Sequence, residues 1–258
     1  MIAIVTDSTV YMTRKEAGRL SVKVVPMNYM VGDQLFTEGF SDENGDFYPL
    51  ICQPGRICKT AQVSISAFMS TFHELIRKGF EVLCVTISSR LSGTYSSACM
   101  AAKEVDGQRI AVVDSLSTAG GLKLLVEKAC DIVGTGVSLS EAVQAVEQMR
   151  DRIGIVFSVD DMDALRRSGR LGIVRQSVGT ILNMRPILLF KNGTIISEGT
   201  VRGLQAQINT LTRLVPQNAT KVVAHYMNAS QVSQRFLTAV YQTYGNRVEV
   251  CSVGPVLG

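Results

Sequence analysis

Short apolar runs of strand length alternate with helical stretches of about ten to fifteen residues along the first half of this chain, and that alternation commits it to parallel βαβ units. Met1 to Thr6, Val22 to Asn28, Glu81 to Ile87 and Ile110 to Val113 read as strands, with Gln34 to Thr37 a further short one after the Gly32-Asp33 turn. Between them lie the helical stretches. Thr13 and Glu16 form a capping box that opens a helix to about Leu20. Ser66 caps a helix that Gly79 ends, Thr94 to Glu104 and Gly120 to Val133 are helical, and Ser140 caps another to about Arg150. The stretch from Ser41 to Gly55 is polar and turn-rich, with a short helix around Asp46 to Cys52.

The second half changes character. Gly154 to Val159 reads as a strand, and Met162 to Gly169 as an arginine-rich helical piece. Pro186 to Lys191 and Thr194 to Val201 flank Asn192-Gly193, the strongest short-range hairpin signal. A helix from Gly203 to Leu214, a strand from Lys221 to Tyr226, a helix from Gln231 to Tyr244 and a strand from Arg247 to Val253 complete it. The expected fold is α/β with two domains. Residues 1–151 form an N-terminal domain with a mostly parallel sheet flanked by helices, and residues 152–258 a C-terminal α/β domain with a mixed sheet.

Composition narrows the function classes. Apolar residues make up 46% of the 258 residues, enough for a large core or a lined apolar cavity. No stretch reaches the roughly 18 apolar residues of a membrane span, so stable membrane insertion is not expected. The N-terminus reads as a strand and turn rather than a signal peptide, and the expected location is cytoplasmic. Net charge is only +4, aromatics are 6% and tryptophan is absent, which argues against a nucleic-acid partner. The six cysteines form no Cys-x-x-Cys pair, and with two histidines they give no metal-ligand spacing. They read as small buried hydrophobes in a reducing compartment.

The sharpest chemical feature is Ser88 to Ala98, SSRLSGTYSSA, directly after a strand and opening a helix. Ligands of open α/β sheets bind at such carboxyl ends, where helix amides and dipole favour an anion. Ser92 and Thr94 offer hydroxyls there, and Gly93 lets its amide approach a ligand with no Cβ in the way. The same serine would serve equally as a helix cap. Asp7-Ser8-Thr9 and Asp114 to Thr118, which includes Ser115, repeat the arrangement after two other strands, so the three turns suggest one polar rim. Arg166, Arg167 and Arg170 in LRRSGRLG form either a solvated basic face or a docking surface for an acidic partner or phosphate.

Catalytic signatures are missing: there is no G-x-S-x-G elbow, no phosphate loop and no G-x-G-x-x-G after a strand. His73 falls inside a helix, and His225, ending a strand, is the only histidine placed like a site residue. Two rivals to a binding protein stay open on these residues. One is an enzyme acting on a small phosphorylated or acylated substrate at the strand ends; the other is an interaction module using the basic face.

Taken together, IVTDSTV, TAQVS, SSRLSGTYSSA, VVDSLSTAGG, LRRSGRLG, RPILLFKNGTI and SVGPVLG resemble, in order, the motifs of the DegV family of bacterial fatty-acid-binding proteins. The resemblance implies two domains with a fatty acid, such as palmitate or oleate, in a tunnel between them, no other cofactor and no catalysis by the chain itself. By motif it makes Thr60 and Ser92 the carboxylate ligands, places Arg202 near the head group, and makes Arg170 and its neighbours contacts for a separate fatty acid kinase. That kinase would make the acyl phosphate for phospholipid synthesis. The chain departs from the family pattern at Ala61 and Val63, where serine and proline are usual, and it stops at Gly258 where the family continues into a histidine-containing tail.

Overall fold

The computed structural model describes residues 1–51, 58–159, 162, 165, 168–170 and 183–257. The chain divides into two compact units, residues 1–153 with 252–258, and residues 154–251.

The first unit is built on a four-stranded parallel sheet in the order β2-β1-β6-β7, formed by β1 (Ile2–Asp7), β2 (Val22–Val25), β6 (Glu81–Thr86) and β7 (Ile110–Asp114). The central strand β6 is apolar on both sides, and Val82, Leu83, Cys84 and Val85 are all fully buried. That follows from helices on both faces. Ile4, Leu83, Val85 and Val113 pack against α5 (Ala119–Val133) and α6 (Leu139–Met149). Val5, Val82 and Cys84 pack against α3 (Ile65–Arg77) and α4 (Thr94–Asp106), where Phe68 and Phe72 stack at 5.6 Å between ring centroids.

The helix starts show how local chemistry fixes boundaries. The box expected at α1 (Arg14–Leu20) is present: Thr13 accepts from the Glu16 amide, and Glu16 accepts from the Thr13 amide. The caps expected at Ser66 and Ser140 lie two residues earlier. Ser64 caps α3 by accepting from the Ala67 amide, and Ser138 caps α6 in a full box with Glu141. In both cases the earlier serine has an extended backbone, which lets its hydroxyl turn back onto the first helical turn.

The strand expected from Val22 to Asn28 is two strands, interrupted at Pro26, which has no N–H to give to a ladder. Its second part, β3 (Met27–Val31), joins β4 (Gln34–Glu38) and β5 (Cys58–Ala61) in a separate antiparallel sheet of order β4-β3-β5. The expected short helix in the following loop is α2, Tyr48–Ile51.

In the second unit, β8 (Val156–Phe157), β9 (Met184–Lys191) and β10 (Thr194–Arg202) form an antiparallel sheet of order β10-β9-β8. The predicted hairpin is there: Asn192 and Gly193 sit at φ of 50° and 78°, the left-handed pair that matches the twist of the strands. α7 (Leu204–Leu214) packs on β9 and on α8 (Gln231–Tyr244). The Tyr244 hydroxyl ties the two helices by donating at the end of α7, 2.7 Å from the Thr212 carbonyl and 2.8 Å from that of Val215. β11 (Val222–Tyr226) and β12 (Val248–Ser252) pair beside them. Among the described residues no helix is long and apolar enough to cross a membrane.

Candidate functional site: a hydroxyl-lined rim at the strand ends

Three turns leave the carboxyl ends of the adjacent strands β1, β6 and β7, and hydrogen bonds join them. The Asp7 carboxylate, fully buried, accepts from the Ile87 amide at 2.7 Å, which couples the first turn to the second. Asp114 accepts from the Ser89 amide at 3.1 Å, and the Ser117 carbonyl accepts from the Ser88 amide at 2.8 Å, coupling the second to the third. The rim suggested by the three hydroxyl-rich motifs is therefore one connected edge. Burial raises the Asp7 pKa, opposed by donors from Thr9 and Ile87. Thr6, Thr86 and Thr118 bury their hydroxyls at this edge with no hydrogen-bond partner among the described residues.

Ser92, Gly93 and Thr94 stand together where α4 begins. Gly93 is the N-cap residue and gives no side-chain cap, so Ser92 is not the cap of this helix. Its Oγ lies 2.9 Å from Thr94 Oγ1 and accepts from the Thr94 amide at 3.3 Å. Thr94, fully buried, also accepts from the Val63 amide at 3.2 Å. That bond fastens the segment after β5 to the start of α4. Thr60 lies three residues earlier on β5, opposite Tyr29 in the register, and is exposed.

Gly93 stands close against Gln62. Its backbone is ordinary, with φ of −69°, so glycine is needed for space alone. A Cβ there would run into the carboxamide of Gln62. The Gln62 Nε2 donates to Ser97 Oγ at 3.0 Å.

Ser115 is buried on the rim with its hydroxyl committed to its own turn, donating to the Ser117 carbonyl at 3.1 Å and accepting from the Ser117 amide at 3.0 Å. Arg202 is exposed at the end of β10, in the second unit. Arg170 is exposed and donates to the Ser168 carbonyl. Arg166 and Arg167 lie outside the described residues. His73 is exposed on α3, and His225 Nδ1 lies 3.0 Å from the Cys251 carbonyl, a bond that holds β11 to β12. The five cysteines among the described residues are free thiols, and burial pushes that of Cys84 well up, which leaves it unreactive. No group of three metal-ligating side chains occurs among the described residues.

A buried carboxylate lies in the same unit, and no local sequence pattern marks it. Glu38, at the end of β4, is fully buried with no basic partner at its carboxylate among the described residues. It accepts from Ser8 Oγ at 2.9 Å, from the Tyr11 hydroxyl at 3.3 Å and from the Val256 amide at 2.9 Å. Burial pushes its pKa up to about 7 against those three donors.

Comparison with known proteins places this architecture. The model of the DegV family matches residues 1–258, and the chain belongs to that family. A DegV domain-containing protein of Halalkalibacterium halodurans is 30% identical over 100% of this chain and 93% of its own length. Among solved structures, a DegV lipid-binding protein of Thermotoga maritima superposes with a TM-score of 0.86 at 25% identity, covering 99% of this chain and 93% of the other. A fatty-acid-binding DegV family protein of Thermus thermophilus gives 0.83 at 27% identity, over 99% and 94%. DegV of Bacillus subtilis, a fatty-acid-binding protein, gives 0.85 at 25% identity, over 100% and 94%.

Proposed function

We propose that this chain, as a member of the DegV family, binds one long-chain fatty acid and holds its carboxylate with the hydroxyls of Thr60 and Ser92. The observation that carries the reading is the paired Ser92 and Thr94 hydroxyls at the start of α4, tied through Val63 to the segment that carries Thr60. The fatty-acid-binding relatives supply the ligand class.

The division of labour follows from magnitudes. A sixteen-carbon acid buries about fourteen methylenes at roughly 0.8 kcal/mol each, about 11 kcal/mol before ordering costs. Each hydroxyl bond to a carboxylate adds only about 1.5 to 3 kcal/mol. The tail therefore supplies affinity, and the hydroxyls supply orientation.

In the finer form of this reading the protein does no chemistry of its own. It works in the cytoplasm and presents the bound acid to a separate fatty acid kinase, which forms the acyl phosphate used in phospholipid synthesis. Arg166, Arg167 and Arg170 would meet the kinase, and Arg202 would serve the head group.

The test is equilibrium binding of palmitate to the Ser92→Ala variant, with the thermal midpoint measured in parallel. Weaker binding at an unchanged midpoint supports the assignment. Unchanged affinity together with unchanged transfer to a fatty acid kinase overturns it.

A further inference from the structure

We infer that Gln62 is a positioning residue that sets the discrimination for a carboxylate head group, an inference that rests on the fatty-acid reading above. The segment after β5 is fastened to α4 at two points. The first is the Val63 amide on Thr94 Oγ1 at 3.2 Å, and the second is Gln62 Nε2 on Ser97 Oγ at 3.0 Å. A single hydrogen bond leaves a strand end free to pivot about it, whereas two bonds on successive residues fix its orientation as well as its distance.

The two anchor points lie three residues apart on α4, so they share one face of the helix. The Gln62 carboxamide reaches Ser97 by lying across Gly93, in the space that any side chain at position 93 would take. Ser97 is 2% exposed, so the far end of this strap is held by a packed hydroxyl although Gln62 itself is exposed. Two residues before Gln62 stands Thr60, and one residue before Gly93 stands Ser92. The strap thus joins the two segments that carry the proposed carboxylate ligands and holds them in one arrangement before the ligand arrives. Preorganisation of this kind acts on the head group, because the acyl chain gains its affinity elsewhere.

Gly93 provides an independent way to break the strap. Its φ of −69° suits alanine, and the atoms a methyl group would meet are the mobile end of Gln62. Gly93→Ala therefore pushes Gln62 aside while leaving the helix intact.

The experiment measures the binding of palmitic acid and of hexadecanol, the alcohol of equal length, to the wild type, Gln62→Ala, Gly93→Ala and the double variant. For each single variant the acid is expected to bind about tenfold more weakly while the alcohol shifts by no more than about twofold. The double variant is expected to lose no more than either single one, because both act through the same contact. Equal losses for acid and alcohol, additive losses in the double variant, or unchanged acid binding overturns the inference while leaving the fatty-acid reading in place. A wild type that binds no acid overturns both.

Discussion

The Val256 amide donates to Glu38 Oε1 at 2.9 Å, joining residues 218 positions apart in the chain. This bond fastens the last described residues to the end of β4, beside Ser8 and Tyr11, within the unit that carries the strand-end rim.

Glu38 makes the stability of the protein depend on pH. Its ordinary pKa is 4.5, and in the folded chain burial raises it to about 7. The folded state thus holds the proton more tightly, so the stabilisation is complete below the ordinary value and is lost as pH rises through about 7. Asp7, also raised by burial, adds in the same direction, and Tyr11 and Tyr29 are the other titrating groups coupled to Glu38. The unfolding free energy from urea denaturation is expected to fall between about pH 5 and pH 8, by no more than about 3 kcal/mol for Glu38. In Glu38→Gln the fall is expected to be smaller, and an equal fall would rule Glu38 out as its source.

Gly254 is the tightest point of the same cluster. A Cβ there would strike Glu38 Oε1 and lie 2.8 Å from both Asn44 Nδ2 and Tyr11 Cε1. Tyr11 and Glu38 are buried and have little room to move. Gly254→Ala is expected to cost about 1 to 3 kcal/mol in chemical denaturation.

Lys123 is 1% exposed, and its Nζ lies 2.8 Å from Glu16 Oε1, while the other carboxylate oxygen of Glu16 caps α1. Glu16→Ala keeps the Thr13 cap but removes the reciprocal half of the capping box and one carboxylate partner of a buried ammonium, so a loss of about 1 to 3 kcal/mol is expected. The exposed Lys128–Asp131 pair, also at 2.8 Å, is the control. Asp131→Ala is expected to cost less than about 1 kcal/mol.

Thr94 and Ser92 are expected to separate fold from ligand binding. Thr94→Val keeps the shape and strips the acceptor from the Val63 amide, costing about 1 to 3 kcal/mol of stability. Ser92 is only half-buried, and Ser92→Ala is expected to cost under about 1 kcal/mol. Thermal unfolding of the two variants side by side checks the difference.

Much of this arrangement was readable from sequence where one local signal dominates. Apolar strands alternating with helices gave the parallel sheet, and Asn192-Gly193 gave the hairpin because its two left-handed residues admit few other structures. Ser64 and Ser138 were missed in favour of the serines two positions on, since either serine of each pair is chemically fit to cap and backbone direction decides. The β4-β3-β5 sheet was not foreseen because β5 is exposed along most of its length and carries no apolar alternation. The burial of Glu38 and the strap from Gln62 to Ser97 arise from contacts between distant segments, and no local pattern encodes them.

Whether the chain carries a fatty acid is read from mass spectrometry of an organic extract of the freshly purified protein. About one long-chain fatty acid per chain is expected, held in a site of the usual small-molecule size. Protein that yields no fatty acid and takes up neither added palmitate nor added oleate would contradict it.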